Sequence, residues 1–278
     1  MKLLLTNDDG IDAPGLRALA DALEGIGDVT VVAPATNQSA VGRGLSYGRM
    51  GPEGTDDAGT GLGEGADPFT VTIPHEEHEL GYAVHGTPAD CAILGVGTVD
   101  PDVVVAGCNA GANLGVHVLP RSGTVGAAVE AASLGVPSLA LSMDVLGRGR
   151  SDLTPADFER ASAIGSGLLE RAVEGAAFDA VDYLNVNVPG PDTDLAGLSI
   201  TRPTERYDMH ADLADDRFSI HNPLWVEFAG GDVPDEEGTD RRALLDDRVS
   251  VSPMTLPRAD LDDETVERLG ECFAGVVD

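Results

Sequence analysis

Short apolar runs alternate with segments of helical periodicity over the first 190 residues of the chain. Each run is ended by Gly, Pro or polar residues, which is typical of a strand buried on both faces of a parallel sheet. Between the runs, apolar residues recur every three or four positions and indicate amphipathic connecting helices. The pattern therefore predicts an α/β fold with a mostly parallel sheet and helices on both faces. The predicted core strands are residues 3–5, 29–33, 102–106, 136–142 and 183–188.

The regular alternation ends near residue 200, which divides the chain into two predicted parts. Residues 1–200 form the predicted core, and residues 48–67, rich in Gly, Asp and Thr, are predicted to be a flexible surface insertion within it. Residues 201–278 are predicted to be a β-hairpin and helix appendage that mediates self-association. Its predicted elements are strands at 225–228 and 248–252 and a helix at 260–273.

The first strand runs directly into Asn7, Asp8, Asp9 and Gly10. Ligands of open α/β sheets bind outside the carboxyl ends of the strands, and Gly10 permits the turn that two adjacent carboxylates need to converge. Converging carboxylates repel each other unless a proton or a cation lies between them, and hard divalent cations prefer oxygen ligands. Asp8 and Asp9 are therefore candidate cation ligands. An Asx-rich turn that caps a helix starting near Pro14 is the alternative interpretation.

Two further loops follow predicted strands at the same edge of the sheet. Ser39 lies in a polar loop after the second strand and is a candidate oxygen ligand or phosphate contact. The loop at 107–115 contains small residues that allow close approach of a ligand, and the amide oxygens of Asn109 and Asn113 can coordinate a cation or accept a hydrogen bond. This loop matches neither the Walker sequence nor the dinucleotide fingerprint.

Two other polar segments carry alternative interpretations. Ser122, Gly123 and Thr124 precede an Ala-rich helical segment, and they form a candidate phosphate cradle because a helix N-terminus offers free N–H groups and a favourable dipole. Simple N-capping accounts for the same residues. The acidic and histidine-rich segment 75–79 is predicted to be a turn, and it lacks the i,i+4 histidine spacing of metalloprotease helices.

The charge balance limits the classes of partner. The formal net charge is -31, from 48 acidic residues against 17 Lys and Arg, and Lys2 is the only lysine. Nucleic acid duplexes and anionic membranes need a basic surface, so both are excluded as expected partners. A carboxylate-rich surface almost without lysine resembles proteins of salt-loving organisms, in which concentrated salt screens the self-repulsion.

Cysteine usage and hydropathy indicate the compartment. Cys91, Cys108 and Cys272 are odd in number and lack the spacing of metal ligands, so we expect free thiols. Met1 leads directly into the first strand without a charged and apolar leader, and no apolar run reaches the roughly 18 residues that span a bilayer. We therefore expect a cytoplasmic protein.

Five loop motifs together resemble the survival protein E family of metal-dependent nucleotidases and acid phosphatases. They occur in the family's order between residue 1 and about residue 190. Two departures are Cys108, where the family usually has an aliphatic residue, and a weak match to its Tyr-Trp pattern near Trp225. The motifs are Leu4-Leu5-Thr6-Asn7-Asp8-Asp9-Gly10, Asn37-Gln38-Ser39-Ala40, Gly86-Thr87-Pro88-Ala89-Asp90-Cys91, Gly107-Cys108-Asn109-Ala110-Gly111-Ala112-Asn113-Leu114-Gly115 and Ser122-Gly123-Thr124-Val125-Gly126-Ala127-Ala128.

The resemblance implies a Rossmann-like core that hydrolyses nucleoside 5'-monophosphates, with 3'-monophosphates as a further substrate class, and that forms a homodimer or homotetramer. It also implies one divalent cation per subunit, such as Mg²⁺ or Mn²⁺. Either Asp8 or Asp9 would accept the proton of the attacking water. The implied metal ligands are Asp8, Asp9, Ser39 and Asn109, the implied catalytic residues are Asp8 and Asp9, and the implied phosphate-binding residues are Asn113, Ser122, Gly123 and Thr124.

Two alternatives use the same residues. In an aspartyl-phosphate phosphatase, Asp8 would attack phosphorus, but such enzymes usually separate their two aspartates by one residue, whereas Asp8 and Asp9 are adjacent. A nucleotide-binding protein without catalysis would keep the loops, although recognition alone rarely needs a metal and water site. Trapping of a phosphorylated Asp8 would support the first alternative. Phosphate release from AMP with and without EDTA separates the second from metal-dependent hydrolysis.

Overall fold

The structure is a computed structural model that describes residues 1–47, 71–145, 152–231 and 233–257. The predicted insertion at 48–67 and the predicted helix at 260–273 lie outside the described residues. Within them, the strands are β1 (Lys2–Thr6), β2 (Asp28–Pro34), β3 (His75–His78), β4 (Gly81–Val84), β5 (Val103–Ala110), β6 (Ser138–Met143), β7 (Tyr183–Val188), β8 (Gly197–Ile200), β9 (His210–Ala214), β10 (Arg217–His221) and β11 (Arg248–Met254). The α-helices are α1 (Pro14–Leu23), α2 (Pro88–Val99), α3 (Gly123–Ser133), α4 (Pro155–Glu174), α5 (Leu224–Ala229) and α6 (Asp240–Leu245).

Nine strands form one sheet in the order β3-β4-β2-β1-β5-β6-β7-β11-β8. The consecutive pairs from β4 to β7 in this order are parallel, which confirms the predicted mostly parallel sheet. Antiparallel pairing occurs between β3 and β4 and between β7 and β11. The predicted α/β class is therefore observed.

The first strand is buried on both faces, which explains its unbroken apolar sequence. Leu3 and Leu5 pack into the core cluster that includes residues of α1 and α4, whereas Leu4 packs on the opposite face with Cys91 of α2. Side chains of a strand alternate between its faces, so each face of β1 needs apolar residues. Helices α1 and α4 contact each other, as do α2 and α3, and the two pairs contact different sides of the sheet.

The chain order creates a switch point at β1. After β1, the chain builds β2 and β4 on one side, and it then crosses to β5, β6 and β7 on the other side. Loops that follow β1 and β5 leave the same edge of the sheet in opposite directions and open a crevice between them. Asp8 and Asp9 follow β1, and Asn113 follows β5. Ser39 lies in the loop after β2 at the same edge of the sheet.

Two local predictions are wrong. Residues 75–79 do not form only a turn, since β3 pairs with β4 at the edge of the sheet, where charged side chains face solvent without cost to the core. Residues 225–228 lie in helix α5 and not in a strand. Pro223 precedes this helix, and its fixed φ suits a helix start.

The segment after residue 200 contributes to the main sheet and also forms a separate hairpin. Strand β11 lies between β7 and β8, so this part of the segment completes the sheet. Strands β9 and β10 pair with each other outside it. A role of the segment in self-association stays a prediction. None of the helices in the described residues is long and apolar enough to cross a membrane.

Candidate active site

A cleft of about 540 Å³ opens at the carboxyl edge of the sheet. It contains predicted site residues that come from the ends of β1, β2 and β5 and from the start of α3, although they are far apart in sequence. The predicted residues that line it are Asp8, Asp9, Ser39, Asn109, Asn113, Ser122 and Thr124. The structure thus brings these side chains to one place, and Gly123 lies directly beside Asp8.

Asp8 is the buried acid of the cleft, with 7% of its surface exposed. Its Oδ1 accepts hydrogen bonds from Nδ2 of Asn109 and, at 3.2 Å, from Oγ1 of Thr124, and its Oδ2 accepts one from the Thr124 amide at 3.2 Å. Burial and the neighbouring charge of Asp9 raise the pKa of Asp8 from 3.8 to about 6, against the lowering effect of hydrogen bonds from Thr124 and Gly123. Such a carboxylate is stabilised by a positive charge placed next to it.

Asp9 faces the loop that follows β2. Its Oδ2 accepts a hydrogen bond from the Ala110 amide at 2.8 Å, and its Oδ1 contacts Nδ2 of Asn37 at 3.3 Å and Oγ of Ser39 at 3.4 Å. The same loop is tied to β1, because the Gln38 amide donates to the Asp8 carbonyl oxygen at 2.7 Å. These contacts hold Ser39 beside the two carboxylates.

Gly10 closes the turn that lets the two aspartates converge. Its φ is +100°, a conformation that L side chains rarely adopt, and its amide donates to Oδ1 of Asn7 at 3.2 Å. The side-chain amide of Asn7 in turn donates to the Gly10 carbonyl at 2.8 Å. An Asx turn is therefore present beside the two carboxylates. It does not cap the helix that starts at Pro14, because the N-cap residue of α1 is Ala13 and no side chain caps it, so this part of the alternative interpretation is wrong.

Asn109 reaches the cleft because β5 is irregular. The register with β6 shifts between Ala106 and Asn109, an irregularity that redirects the side chains after it. The amide nitrogen of Asn109 donates to Asp8, and its Oδ1 is buried without a hydrogen-bond partner. A buried amide oxygen that lacks a donor carries a desolvation penalty that a cation ligand would remove.

The start of α3 is held by its own residues. The hydroxyl of Ser122 caps the helix by accepting from the Val125 amide at 3.1 Å, which confirms the N-cap interpretation. Both the amide and the hydroxyl of Thr124 contact Asp8. A Cβ on Gly123 would lie 2.7 Å from Cβ of Asp8, so only glycine lets the helix start approach this closely. Phosphate binding by these residues stays a prediction.

Asn113 anchors the loop after β5 to neighbouring strands. Its backbone amide donates to Oδ1 of Asn187 at 2.7 Å, and its Nδ2 donates to Oγ of Ser142 at 2.9 Å. Its carbonyl oxygen accepts from the side-chain amides of Asn185 and Asn187 at 3.0 and 3.2 Å. These bonds fix the loop wall of the cleft, whereas the predicted role of Asn113 in phosphate binding stays a prediction.

The donor set suits a hard cation. The described residues contain no group of three or more His, Cys, Asp and Glu side chains that could hold a metal ion. The candidate set consists instead of the carboxylates of Asp8 and Asp9 with the neutral oxygens of Ser39 and Asn109. Oxygen donors of this kind are typical for Mg²⁺, Ca²⁺ and Mn²⁺ and unlike the nitrogen and sulfur sets of zinc. The unpartnered oxygen of Asn109 and the raised pKa of Asp8 both suit a nearby cation, although the atom of Asn109 that contacts Asp8 is its amide nitrogen.

Sequence reasoning missed three polar residues that line the cleft: Arg121, Asp144 and Asn222. A signal existed for Asp144, because it directly follows the buried strand β6 at the edge where the other candidates lie. Arg121 directly precedes the capping residue of α3. Asn222 follows the hairpin, and no local pattern connects it with the cleft.

Comparisons with known proteins relate most of the chain to one family. The family model described as "Survival protein SurE" matches residues 3–210. The chain is 47% identical over 262 residues to "5'-nucleotidase SurE" of Halobacterium salinarum, covering 93% of this chain and 92% of the relative. Identity to the protein of the same name from Natronomonas pharaonis is also 47%, with 98% and 100% covered. The crystal structure of the SurE protein from Aquifex aeolicus aligns with a TM-score of 0.72 at 30% identity, covering 98% of this chain and 99% of that one.

Proposed function

Because this chain belongs to the survival protein SurE family, we propose that it is a 5'-nucleotidase, which hydrolyses nucleoside 5'-monophosphates to nucleoside and phosphate. Relatives that carry the name 5'-nucleotidase match nearly the whole chain, so the match includes both the core and the C-terminal segment. One structural observation carries the proposal: one cleft at the switch point of the sheet is lined by the adjacent carboxylates of Asp8 and Asp9 and by Asn109, whose amide oxygen is buried without a hydrogen-bond partner.

The proposed cofactor is one divalent cation per subunit. Asp8, Asp9, Ser39 and Asn109 would hold it, because these four side chains supply oxygen donors at the same end of the cleft. A bound cation supplies positive charge for the phosphoryl oxygens and lowers the pKa of a water molecule. Mg²⁺ and Mn²⁺ are the proposed ions, since carboxylate and carbonyl oxygens suit them.

The residues of the cleft have separate proposed tasks. A carboxylate of Asp8 or Asp9 accepts the proton of the attacking water. Thr124 orients Asp8 through two hydrogen bonds. The first turn of α3, from Ser122 to Thr124, and the loop at Asn113 bind the phosphate oxygens through N–H and O–H donors.

Direct attack by Asp8 on phosphorus is the less favoured mechanism. Both of its carboxylate oxygens accept hydrogen bonds, and the side chain is almost fully buried. Hydrogen bonds to a carboxylate stabilise its charge and reduce its reactivity as a nucleophile. Mass spectrometry of protein quenched during turnover would find a phosphorylated Asp8 if this mechanism operated.

Phosphate release from AMP tests the proposed function. We expect hydrolysis with Mg²⁺ or Mn²⁺, loss of activity after treatment with EDTA, and recovery when the ion is added back. 3'-AMP in the same assay reports whether 3'-monophosphates are substrates. Tight binding of AMP without any phosphate release would contradict catalysis and favour a nucleotide-binding protein.

Assembly and compartment form a second part of the proposal. One face of the β9–β10 hairpin carries Leu213, Phe218 and Ile220, which are 60, 81 and 75% exposed. A second copy of the chain would cover this apolar face, so we propose a homodimer or a homotetramer. The cytoplasm is the proposed compartment, because its reducing conditions suit the buried free thiols of Cys91 and Cys108.

The acidic surface leads to a proposal about salt. Self-repulsion among 48 acidic residues against 17 basic ones is strong at low ionic strength and is screened at molar salt. We therefore expect the melting temperature to rise steeply between about 0.1 M KCl, where the surface charges are weakly screened, and about 2 M KCl, where they are strongly screened. A melting temperature that stays constant over this range would contradict the adaptation to high salt.

A further inference from the structure

We propose that Arg121 binds the phosphate group of the substrate, an inference that rests on the proposed nucleotidase function. Among the described residues that line the cleft, Arg121 is the only basic one, and it faces a lining that includes Asp8, Asp9 and Asp144. A phosphomonoester carries close to two negative charges at neutral pH. The negative charges of these carboxylates and the substrate exceed the two positive charges of a single divalent cation. A guanidinium in the lining therefore lowers the electrostatic cost of substrate entry.

The guanidinium of Arg121 is held in place and keeps free donors. Its Nε and Nη2 donate to the carbonyl oxygen of His117 at 2.9 and 2.7 Å, and its Cζ lies 5.6 Å from the ring centroid of Tyr207. A guanidinium has five N–H donors, so these contacts use only part of them. Held on one edge and stacked near a ring, it can offer the other edge to two phosphate oxygens at once.

Arg206, which lies near Arg121, differs from it because its guanidinium contacts carboxylates. Its Nε donates to Oδ2 of Asp208 at 2.5 Å, and its Nη2 lies 4.0 Å from Oε2 of Glu227. Within the described residues, Arg121 forms no such ion pair with a carboxylate, although the chain has a large excess of acids. A cleft-lining arginine that is fixed by a neutral carbonyl retains its full charge for an anionic ligand.

The backbone position of Arg121 also fits a phosphate contact. Arg121 ends the 3-10 turn Leu119–Arg121 and directly precedes Ser122, the N-cap of α3, whose first turn contacts Asp8 through Thr124. The start of α3 and the arginine before it thus border the same end of the cleft. Since Arg121 also borders a smaller groove with His117 and Tyr207, contact with the nucleoside is the competing role that the experiment must separate.

The experiment compares Arg121→Gln with Arg206→Gln in the full-length protein at saturating Mg²⁺. Both variants lose one positive charge, and the two arginines border the same small groove, but only Arg121 also lines the main cleft. For Arg121→Gln we expect kcat/KM to fall about tenfold or more, the scale of a lost hydrogen bond to a charged group, for both AMP and p-nitrophenyl phosphate. The Ki of inorganic phosphate should rise by a similar factor. Arg206→Gln should stay within about twofold of the wild type, and Arg121→Lys should recover part of the loss.

Other results of this experiment would overturn the inference about Arg121 or the proposed function. Unchanged kinetics and an unchanged phosphate Ki in Arg121→Gln would overturn the inference. A loss with AMP alone, without a change for p-nitrophenyl phosphate or inorganic phosphate, would assign Arg121 to the nucleoside and would also overturn it. If the wild type hydrolyses neither substrate, the proposed function fails, and calorimetric titration with inorganic phosphate still tests Arg121. Weaker phosphate binding by Arg121→Gln, at a melting temperature like that of the wild type, would support it, and equal binding would overturn it.

Discussion

The cleft and the β9–β10 hairpin differ in how their side chains are stabilised. In the cleft, the buried carboxylate of Asp8 accepts hydrogen bonds from two distant segments, through Asn109 at the end of β5 and Thr124 at the start of α3. In the hairpin, strand β9 is exposed along its whole length, and Phe218 on β10 leaves 81% of its surface uncovered. Within the part of the chain that the structure describes, the polar cleft is therefore organised internally, whereas the apolar face of the hairpin is left exposed.

The two regions therefore differ in the unfavourable free energy that each carries in the folded protein. Residues of the cleft are held in place by hydrogen bonds. The remaining cost is electrostatic, because the buried carboxylate of Asp8 lies next to the half-buried carboxylate of Asp9. The hairpin carries the opposite cost, since apolar surface in contact with water is unfavourable. A cation would relieve the first cost, and a second copy of the chain would relieve the second. Each region can therefore be disturbed without the other.

The largest expected effect comes from Asp8→Asn. This change keeps the size of the side chain and removes one negative ligand, so we expect a loss of about a hundredfold or more in turnover of AMP, the scale seen when one electrostatic contributor is removed. The circular-dichroism spectrum and the oligomeric mass should match those of the wild type. Asp12→Asn is the matched control, because Asp12 lies in the same segment with an exposed side chain. Wild-type metal affinity and activity in Asp8→Asn would make Asp8 a turn residue only.

A smaller effect is expected for Asn109→Ala. The change removes a neutral oxygen that has no other hydrogen-bond partner, together with one donor to Asp8. We expect the affinity for Mn²⁺, measured by titration calorimetry, to fall by about tenfold, a scale that even partners of metal ligands reach. The loss should be milder than that of Asp8→Asn. An unchanged Mn²⁺ affinity would show that the orphan oxygen does not serve the cation.

The hairpin prediction concerns mass and leaves the cleft untouched. The pair Phe218→Thr and Ile220→Thr keeps residues that favour strands and makes the apolar face polar. If this face holds two copies together, light scattering should show the mass falling by half, with AMP hydrolysis per subunit retained. Ser219→Thr, on the opposite face of the hairpin, is the control. An unchanged mass of the double variant would assign self-association to another surface.

The sequence predicted the elements of the core because their signals are local. Strand β7 at 183–188 has the predicted bounds, since the signal of a short apolar run depends only on neighbouring residues. Strand β3 escaped prediction because an edge strand of His and Glu carries no apolar pattern. The rule that ligands bind at the carboxyl ends of parallel strands sufficed to group Asp8, Ser39 and Asn109.

The finer parts of the site depend on tertiary structure. Asn109 follows a register shift between β5 and β6, and its amide oxygen is unpartnered. No periodicity of the sequence shows either feature. Capping and phosphate binding use the same groups at the start of α3, so the residue types at Ser122 and Thr124 could not separate the two roles. Arg121 belongs to the cleft because its guanidinium is fixed by His117 and Tyr207, and the contact with Tyr207 bridges 86 positions of the sequence.

The smallest expected effect is a pH-dependent gain in stability. Asp8 has its folded-state pKa raised from 3.8 to about 6, so the folded protein binds the proton more tightly than the unfolded chain does. The resulting destabilisation is absent below pH 3.8, grows as pH rises through this window, and is complete above pH 6. The shift corresponds to about 3 kcal/mol in the metal-free protein. Asn cannot ionise, so Asp8→Asn removes this cost.

In the metal-free protein at pH 7.5 we therefore expect Asp8→Asn to melt about 6 to 12 °C above the wild type, because each kcal/mol of stability shifts the melting temperature of a large domain by about 2 to 4 °C. At pH 5, inside the titration window, the gain should fall to about half. Saturating Mg²⁺ should raise the melting temperature of the wild type and leave Asp8→Asn unchanged, because only the wild type retains both negative ligands. Asp216→Asn, a change at an exposed hairpin position, controls for the loss of one charge.

A metal-free Asp8→Asn that melts below the wild type at pH 7.5 would show that the hydrogen bonds from Thr124 and Asn109 outweigh the cost of the buried charge. The cleft would then be stabilised by its own contacts and would gain nothing from losing that charge.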